Sequence, residues 1–287
     1  MGRRASCVAA IAAALLLLPG AASARRGHSA VAALQVGLRA KGIYLGSVDG
    51  WYGRGTRRAV ARFQRRRRLA VDGIAGPRTR RALGRRGRPP LGARAIRPGA
   101  SGFDVAALQF LISWQGFPLG TIDGGYGYRT GRALREFQRR AGLGVDGIAG
   151  ARTLRALRRP PPRSPLRMAR PARRTRIGDR FGPRGNRFHT GVDFPAPRGW
   201  NVRAARRGRV RFVGWISGYG RTVIIAHGRG VRTLYAHLSA ATVRRGERVG
   251  TGERIGLVGS TGDATGPHLH FEVIVRGARI DPLGALR

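Results

Sequence analysis

The sequence predicts a multidomain α+β protein: two small three-helix modules followed by a mostly antiparallel β domain. Three observations predict it. Residues 31–83 and 105–157 align without a gap at a constant offset of 74, with more than half of the positions identical, so one folding unit is duplicated. From about Thr175 onward, apolar stripes at helical spacing give way to short β-prone runs separated by glycine-rich turns. Proline- and arginine-rich stretches lie between the parts. The expected organisation is a signal peptide at 1–24, a first module at 29–84, a linker at 85–100, a second module at 101–158, a Pro/Arg-rich linker at 159–174 and the β domain at 175–287.

At the start, Arg3 and Arg4 precede an apolar run from about Cys7 to Leu18, and Ala22-Ser23-Ala24 supplies a small-x-small cleavage pattern. This is the layout of a secretory signal peptide. The run is too short for an ordinary membrane span, and no later apolar stretch is long enough. The mature chain is therefore expected to be secreted without a transmembrane anchor. Cys7 is the only cysteine and lies in the segment to be removed, which leaves no disulfide framework, thiol ligand or thiol nucleophile.

Within each module, Val31, Leu34 and Leu38, or Val105, Leu108 and Ile112, recur at helical spacing. An Asp-Gly turn follows, at Asp49-Gly50 or Asp123-Gly124. A second apolar stripe holds Ala59, Val60 and Phe63, or Ala133, Leu134 and Phe137. A second Asp-Gly turn in "VDGIAG" then leads to a short last helix. Thr56, Thr79, Thr130 and Thr153 stand where helix N-caps are expected. The two linkers read as stiffened, solvated spacers because of their proline runs and like charges.

Charge sets limits on partners. Arginine and lysine number 56 against 13 acidic residues, for a net charge of +43, and Lys41 is the only lysine. Near-exclusive arginine reads as a coding bias on solvated positions, yet the charge attracts polyanions in a salt-dependent way. Nucleic acid, anionic membranes and anionic cell-wall polymers are the candidates. Export argues against a specific nucleic-acid partner.

Five of the six histidines fall in the β domain, in the runs "FHTGVDF", "IIAHGRG", "TLYAHL" and "GPHLHFEV". Residues two apart in a strand share a face, so His268 and His270 project together with Leu269 opposite. His189 lies four residues before Asp193, and His237 ends a β-prone run. His189, Asp193 and one histidine of the pair would supply the three nitrogen and oxygen donors of a catalytic zinc site with an open position. The remaining histidines would handle protons. No H-E-x-x-H helix is present. His227 reads as a strand-end structural residue. Glu272 shares the face of His270, Tyr235 that of His237, and Tyr219 sits in the glycine turn of "GWISGYGR".

Two resemblances follow. The pattern D-G-x-x-G-x-x-T-x-x-A-(V/L)-x-x-F-Q, at Asp49–Gln64 and Asp123–Gln138, resembles the peptidoglycan-binding domain found beside cell-wall hydrolases. It implies three-helix modules that dock on peptidoglycan. The H-x-x-x-D and H-x-H motifs, with "TLYAHL", "GERVGTGERIGLVGSTG" and "IDPL", resemble the lysostaphin-like zinc endopeptidases of bacterial cell walls. That resemblance implies His189, Asp193 and His270 as ligands of Zn2+, with His237 and His268 as catalytic histidines. The implied function is an exported zinc endopeptidase that cuts peptide bonds of peptidoglycan. The alternative is a non-catalytic wall-binding protein or a regulator of wall hydrolases, against which the five intact positions argue.

Overall fold

The computed structural model describes residues 27–117 and 119–287, so the expected signal peptide lies outside the described residues. Among the described residues six α-helices come first: α1 (Ser29–Arg39), α2 (Arg54–Arg66), α3 (Pro77–Ala82), α4 (Phe103–Trp114), α5 (Tyr128–Ala141) and α6 (Ala151–Leu157). They form two three-helix copies, as the repeat predicts. The copies are not separate beads. Leu34 and Leu38 of α1 share one continuous core with Val105, Leu108 and Ile112 of α4. The faces that the stripes identify as apolar thus cover one another across the repeat.

The threonines are not caps. Gly53, Gly76, Gly127 and Gly150 occupy the N-cap positions, while Thr56, Thr79, Thr130 and Thr153 lie buried inside their helices. Their hydroxyls complete a polar staple that occurs four times. In the first, the Gln35 amide donates to Asp49 Oδ1 (2.7 Å), Thr56 Oγ1 (3.0 Å) and the Trp51 carbonyl (3.1 Å), and the Gly50 N–H donates back to Gln35 Oε1 (2.9 Å). Gln64 repeats this with Asp72, Thr79 and Gly73, Gln109 with Asp123, Thr130 and Gly124, and Gln138 with Asp146, Thr153 and Gly147. A buried amide whose donors and acceptor are both satisfied fixes each Asp-Gly turn to its helix. Asp49, Thr56, Gln64 and Gln138 therefore serve the module's structure.

The β domain contains eleven strands: β1 (Gly182–Arg184), β2 (Arg187–His189), β3 (Val192–Pro195), β4 (Asn201–Arg203), β5 (Gly208–Ile216), β6 (Gly220–Ala226), β7 (Val231–Ala241), β8 (Arg248–Val249), β9 (Arg254–Val258), β10 (His268–Val275) and β11 (Ala278–Ile280). The main antiparallel sheet runs β11-β10-β7-β6-β5-β8, with β3 also paired to β10 and β9 bridging β7 and β4. Its core holds Phe194, Val223, Tyr235, Leu269 and Phe271. Tyr235 is fully buried and accepts the Ala205 N–H, so it packs the core and does not line a cleft.

The segment after the second module is only partly a spacer. Leu166, Met168 and Ala172 bury their side chains in the β core, and the Met168 and Ala169 N–H groups donate to the Ala285 and Ala205 carbonyls. Apolar side chains among the arginines and prolines pull this stretch into the domain.

The helical unit docks on the β1–β2 hairpin. Val48 N–H donates to the Gly185 carbonyl (2.7 Å) and Ile122 N–H to the Asn186 carbonyl (2.8 Å). Trp114 packs edge-on against Phe188 and Phe181, with ring centroids 5.2 and 6.2 Å away. On the other side, the Arg279 N–H of β11 donates to the Gly116 carbonyl (2.9 Å).

Candidate metal centre

The antiparallel pairing of β3 with β10 sets Asp193 directly across from His270. His189 ends β2, and the Thr190-Gly191 step turns the chain into β3. Gly191 packs so close beneath β10 that a Cβ there would stand 2.9 Å from Nε2 of His270. That close approach is why glycine occupies the "HTGVD" motif.

Three donor atoms converge as a result. His189 Nε2 lies 3.1 Å from Asp193 Oδ1 and 3.1 Å from His270 Nδ1, and His270 Nδ1 lies 2.9 Å from Asp193 Oδ1. Among the described residues, this is the cluster whose donors lie close enough to share a metal ion. The fit to zinc is good: a tetrahedral ion with bonds of about 2.0–2.1 Å separates its ligand atoms by roughly 3.3 Å. The outer nitrogens are held as well. His189 Nδ1–H donates to the Arg180 carbonyl (2.9 Å), and His270 Nε2–H to Glu272 Oε1 (3.3 Å). Each imidazole therefore presents a defined inner nitrogen.

His237 and His268 close the cleft with a different arrangement. His237 donates Nδ1–H to the Thr261 carbonyl (2.7 Å), and His268 donates Nδ1–H to the Gly266 carbonyl (2.8 Å). Both Nε2 atoms are left as proton acceptors. That of His268 stands 3.8 Å from Asp193 Oδ1. The two rings lie 4.7 Å apart between centroids. His237 sits in the left-handed backbone region at φ 59°, where a side chain costs about 1–2 kcal/mol, and the strand register shifts around it. Strain of this kind collects at functional sites.

Charge is arranged beneath the donors. Glu272 is fully buried and accepts from Arg279 Nε (2.9 Å), from Tyr219 Oη (2.8 Å) and from Thr190 Oγ1. Burial alone would raise its carboxyl pKa, but the Arg279 guanidinium and the His270 contact outweigh that and hold it at about 2. Burial likewise opposes ionisation of Asp193, and hydrogen bonds from His189 and His270 overcome it, placing the carboxyl well below the ordinary range. For His270, burial favours the neutral ring, while the Asp193 and Glu272 carboxylates raise it to about 9 in the metal-free protein. Burial pushes His237 down to about 4.

All five site residues singled out in the sequence line one cleft of about 260 Å³, and His227 lies elsewhere, bonded to the Arg207 carbonyl and Thr233 Oγ1. The sequence reading did not find Thr190 or Arg279. Thr190 had a signal, its place between two motif residues. Arg279 had none among so many arginines. Arg184 was also missed: it pairs with Asp179 (2.9 Å) and reaches within 3.9 Å of Asp193 at the cleft rim.

Known proteins resemble both the helical modules and the β domain. Residues 187–282 match the family described as "Peptidase family M23", and residues 27–83 and 101–157 each match the "Putative peptidoglycan binding domain". The DD-carboxypeptidase/endopeptidase Mpg of Neisseria meningitidis is 49% identical over 115 residues, covering 38% of this chain and 26% of that protein. The peptidoglycan DD-endopeptidase ShyA of Vibrio cholerae is 43% identical over 97 residues, covering 34% of this chain and 23% of that protein. The chain thus spans about a quarter of the length of these relatives. Among solved structures, the catalytic domain of lysostaphin from Staphylococcus simulans is 35% identical, covering 38% of this chain and 90% of that one, with a TM-score of 0.37. The chain carries a peptidase family M23 domain behind two peptidoglycan-binding domains.

Proposed function

We propose that this chain is an exported zinc-dependent endopeptidase that hydrolyses peptide bonds of peptidoglycan, held on the wall by its helical modules. The observation that carries the reading is the convergence of His189 Nε2, Asp193 Oδ1 and His270 Nδ1 beside two imidazoles whose Nε2 atoms face the same cleft. The chain's own residues divide the work. His189, Asp193 and His270 would hold the ion. Zinc bound there would act as a Lewis acid toward a carbonyl oxygen and toward water. His237 and His268, with Nδ1–H fixed on backbone carbonyls, accept a proton at Nε2 from the attacking water. The protonated ring donates to the developing oxyanion and then passes its proton to the leaving amine. The names of the relatives favour an amide between D-amino acids as the bond cut. The leader pattern at 1–24 supports export, and the net charge of +43 supports retention on anionic wall polymers as well as peptidoglycan.

The neighbours His268 and His270 should fail differently. His270→Ala removes one of three ligands, so zinc per protein falls with activity. His268→Ala leaves the ligands in place, so zinc stays while turnover falls about 10²–10⁴-fold. Elemental analysis alongside hydrolysis of soluble muropeptides reads both. Zinc lost from His268→Ala and kept in His270→Ala would reverse the roles. Full zinc and full activity in both variants would end the enzyme reading.

A further inference from the structure

We propose that the end of the β domain remote from the histidine cleft binds a linear, phosphate-bearing polyanion along a continuous arginine-lined track. The cleft sits where β6 begins, beside Gly218 and Tyr219, and β6 carries the chain away from it to Ala226 and His227. At about 3.3 Å per residue that strand separates the two places by roughly 20 Å. At the far end lies a cavity of about 910 Å³. Seven of its thirteen lining residues are arginines, among them Arg167, Arg206, Arg209, Arg229 and Arg248, and none is aspartate or glutamate. Arginine is about one residue in five of the whole chain, and the histidine cleft has only Arg184 and Arg187. Coding bias spread evenly over the surface does not produce this concentration.

Two further cavities adjoin this one through different lining residues. It shares Arg167 and Arg206 with a neighbour of about 450 Å³ that adds Arg170 and Arg173. It shares Arg229 with another of about 650 Å³ that adds Arg140, Arg163 and Arg276, again without an acidic residue. The five segments that supply the central arginines are far apart in sequence, so the track is a product of the fold. Three of its guanidinium groups are fixed by backbone bonds, Arg206 Nη1 to the Arg167 carbonyl (3.1 Å), Arg209 Nε to the Gly246 carbonyl (2.9 Å) and Arg170 Nη2 to the Thr175 carbonyl (2.7 Å). Each such bond uses one of five N–H groups. The nearby carboxylates do not line the cavity and are tied to backbone, Glu247 to the Arg244 N–H and Glu253 to the N–H of Gly250 at its edge.

These features select the ligand. Guanidinium forks match phosphate oxygens in pairs. A chain of three connected cavities suits an extended polymer better than a flat membrane. Bases of a nucleic acid would need aromatic platforms. The central cavity has only the His227 ring, which is engaged on both nitrogens. The site is independent of the histidine cleft and of hydrolysis.

End-labelled long-chain polyphosphate is the probe, with binding to the full chain read by fluorescence anisotropy across a salt series. One variant carries Arg206→Gln, Arg209→Gln, Arg229→Gln and Arg248→Gln. A control with the same loss of charge carries Arg58→Gln, Arg62→Gln, Arg65→Gln and Arg66→Gln, all on the exposed side of α2. The track variant should bind at least about tenfold more weakly with a shallower salt slope, and the control within about twofold of the parent. Melting temperatures of both variants, read without any reference to hydrolysis, show that the fold is kept. Equal weakening in the two variants would overturn the proposal. So would tighter binding to single-stranded DNA, or to phosphatidylglycerol vesicles, than to polyphosphate.

Discussion

The histidine pair was legible at the level of single residues because strand alternation alone puts His268 and His270 on one face with Leu269 buried behind them. The different duties proposed for them were not legible that way, since they depend on which ring nitrogen is tied up and by what. His270 spends Nε2 on Glu272, whereas His268 spends Nδ1 on the Gly266 carbonyl. The pair of buried Glu272 with Arg279 is the least readable part, because its partners come from β10 and β11 and no spacing rule joins them. It predicts a specific loss. Glu272→Gln keeps the shape but removes the charge that orients His270, and leaves the partly buried Arg279 guanidinium without a counter-charge. Zinc affinity measured against a competing chelator should fall about 10–100-fold, the usual effect of losing a partner of a metal-bound histidine. Unchanged affinity would show that the carboxylate serves only Arg279.

Among the elements, the repeated helices were readable from their 3.6-residue stripes, and the five longer strands from their β-prone runs. The short strands β1 to β4, β8 and β11 were not, since runs of two to four residues carry no period. The threonines misled because the signature of an N-cap, a threonine just before an apolar stripe, is also the signature of the glutamine staple. The difference lies in a glutamine distant in sequence. Two of the staples make an acid-lability prediction. Asp72 and Asp146 are held below the ordinary carboxyl range, chiefly by the Ile74 and Ile148 N–H groups and then by the Gln64 and Gln138 amides. A depressed folded pKa gives stability that is present above the unfolded value, near about 4, and lost as pH falls through the folded one. The melting temperature followed by helical circular dichroism should therefore drop between about pH 5 and pH 2. In the Asp72→Asn, Asp146→Asn double variant, which keeps an acceptor but no charge, the drop should be smaller. An identical pH profile would remove these carboxylates from the account.

For the whole molecule, the sequence suggested beads on spacers, and the structure replaces that picture with a docked unit. The helices share one core and clasp the hairpin that delivers His189, with Trp114 covering Phe181 and Phe188. Proline-rich composition marks where chains separate but does not report apolar side chains such as Leu166 and Met168 folding back. A fragment of residues 165–287 should fold and cleave soluble muropeptides more slowly than the full chain, because its hairpin loses the Val48 and Ile122 contacts. A fragment of residues 173–287 also loses three buried side chains and should be less stable by about 3–5 kcal/mol. Equal rates and equal melting for the full chain and both fragments would show that docking contributes nothing. The central claim, metal-dependent cleavage of peptide links in the wall, is tested most directly by digesting purified peptidoglycan with the full chain and identifying the fragments by mass. The account predicts fragments with newly freed amino and carboxyl groups, none after chelation, and recovery on adding zinc. Bound, zinc-loaded protein that releases nothing, or that releases glycan fragments with new reducing ends, would contradict it.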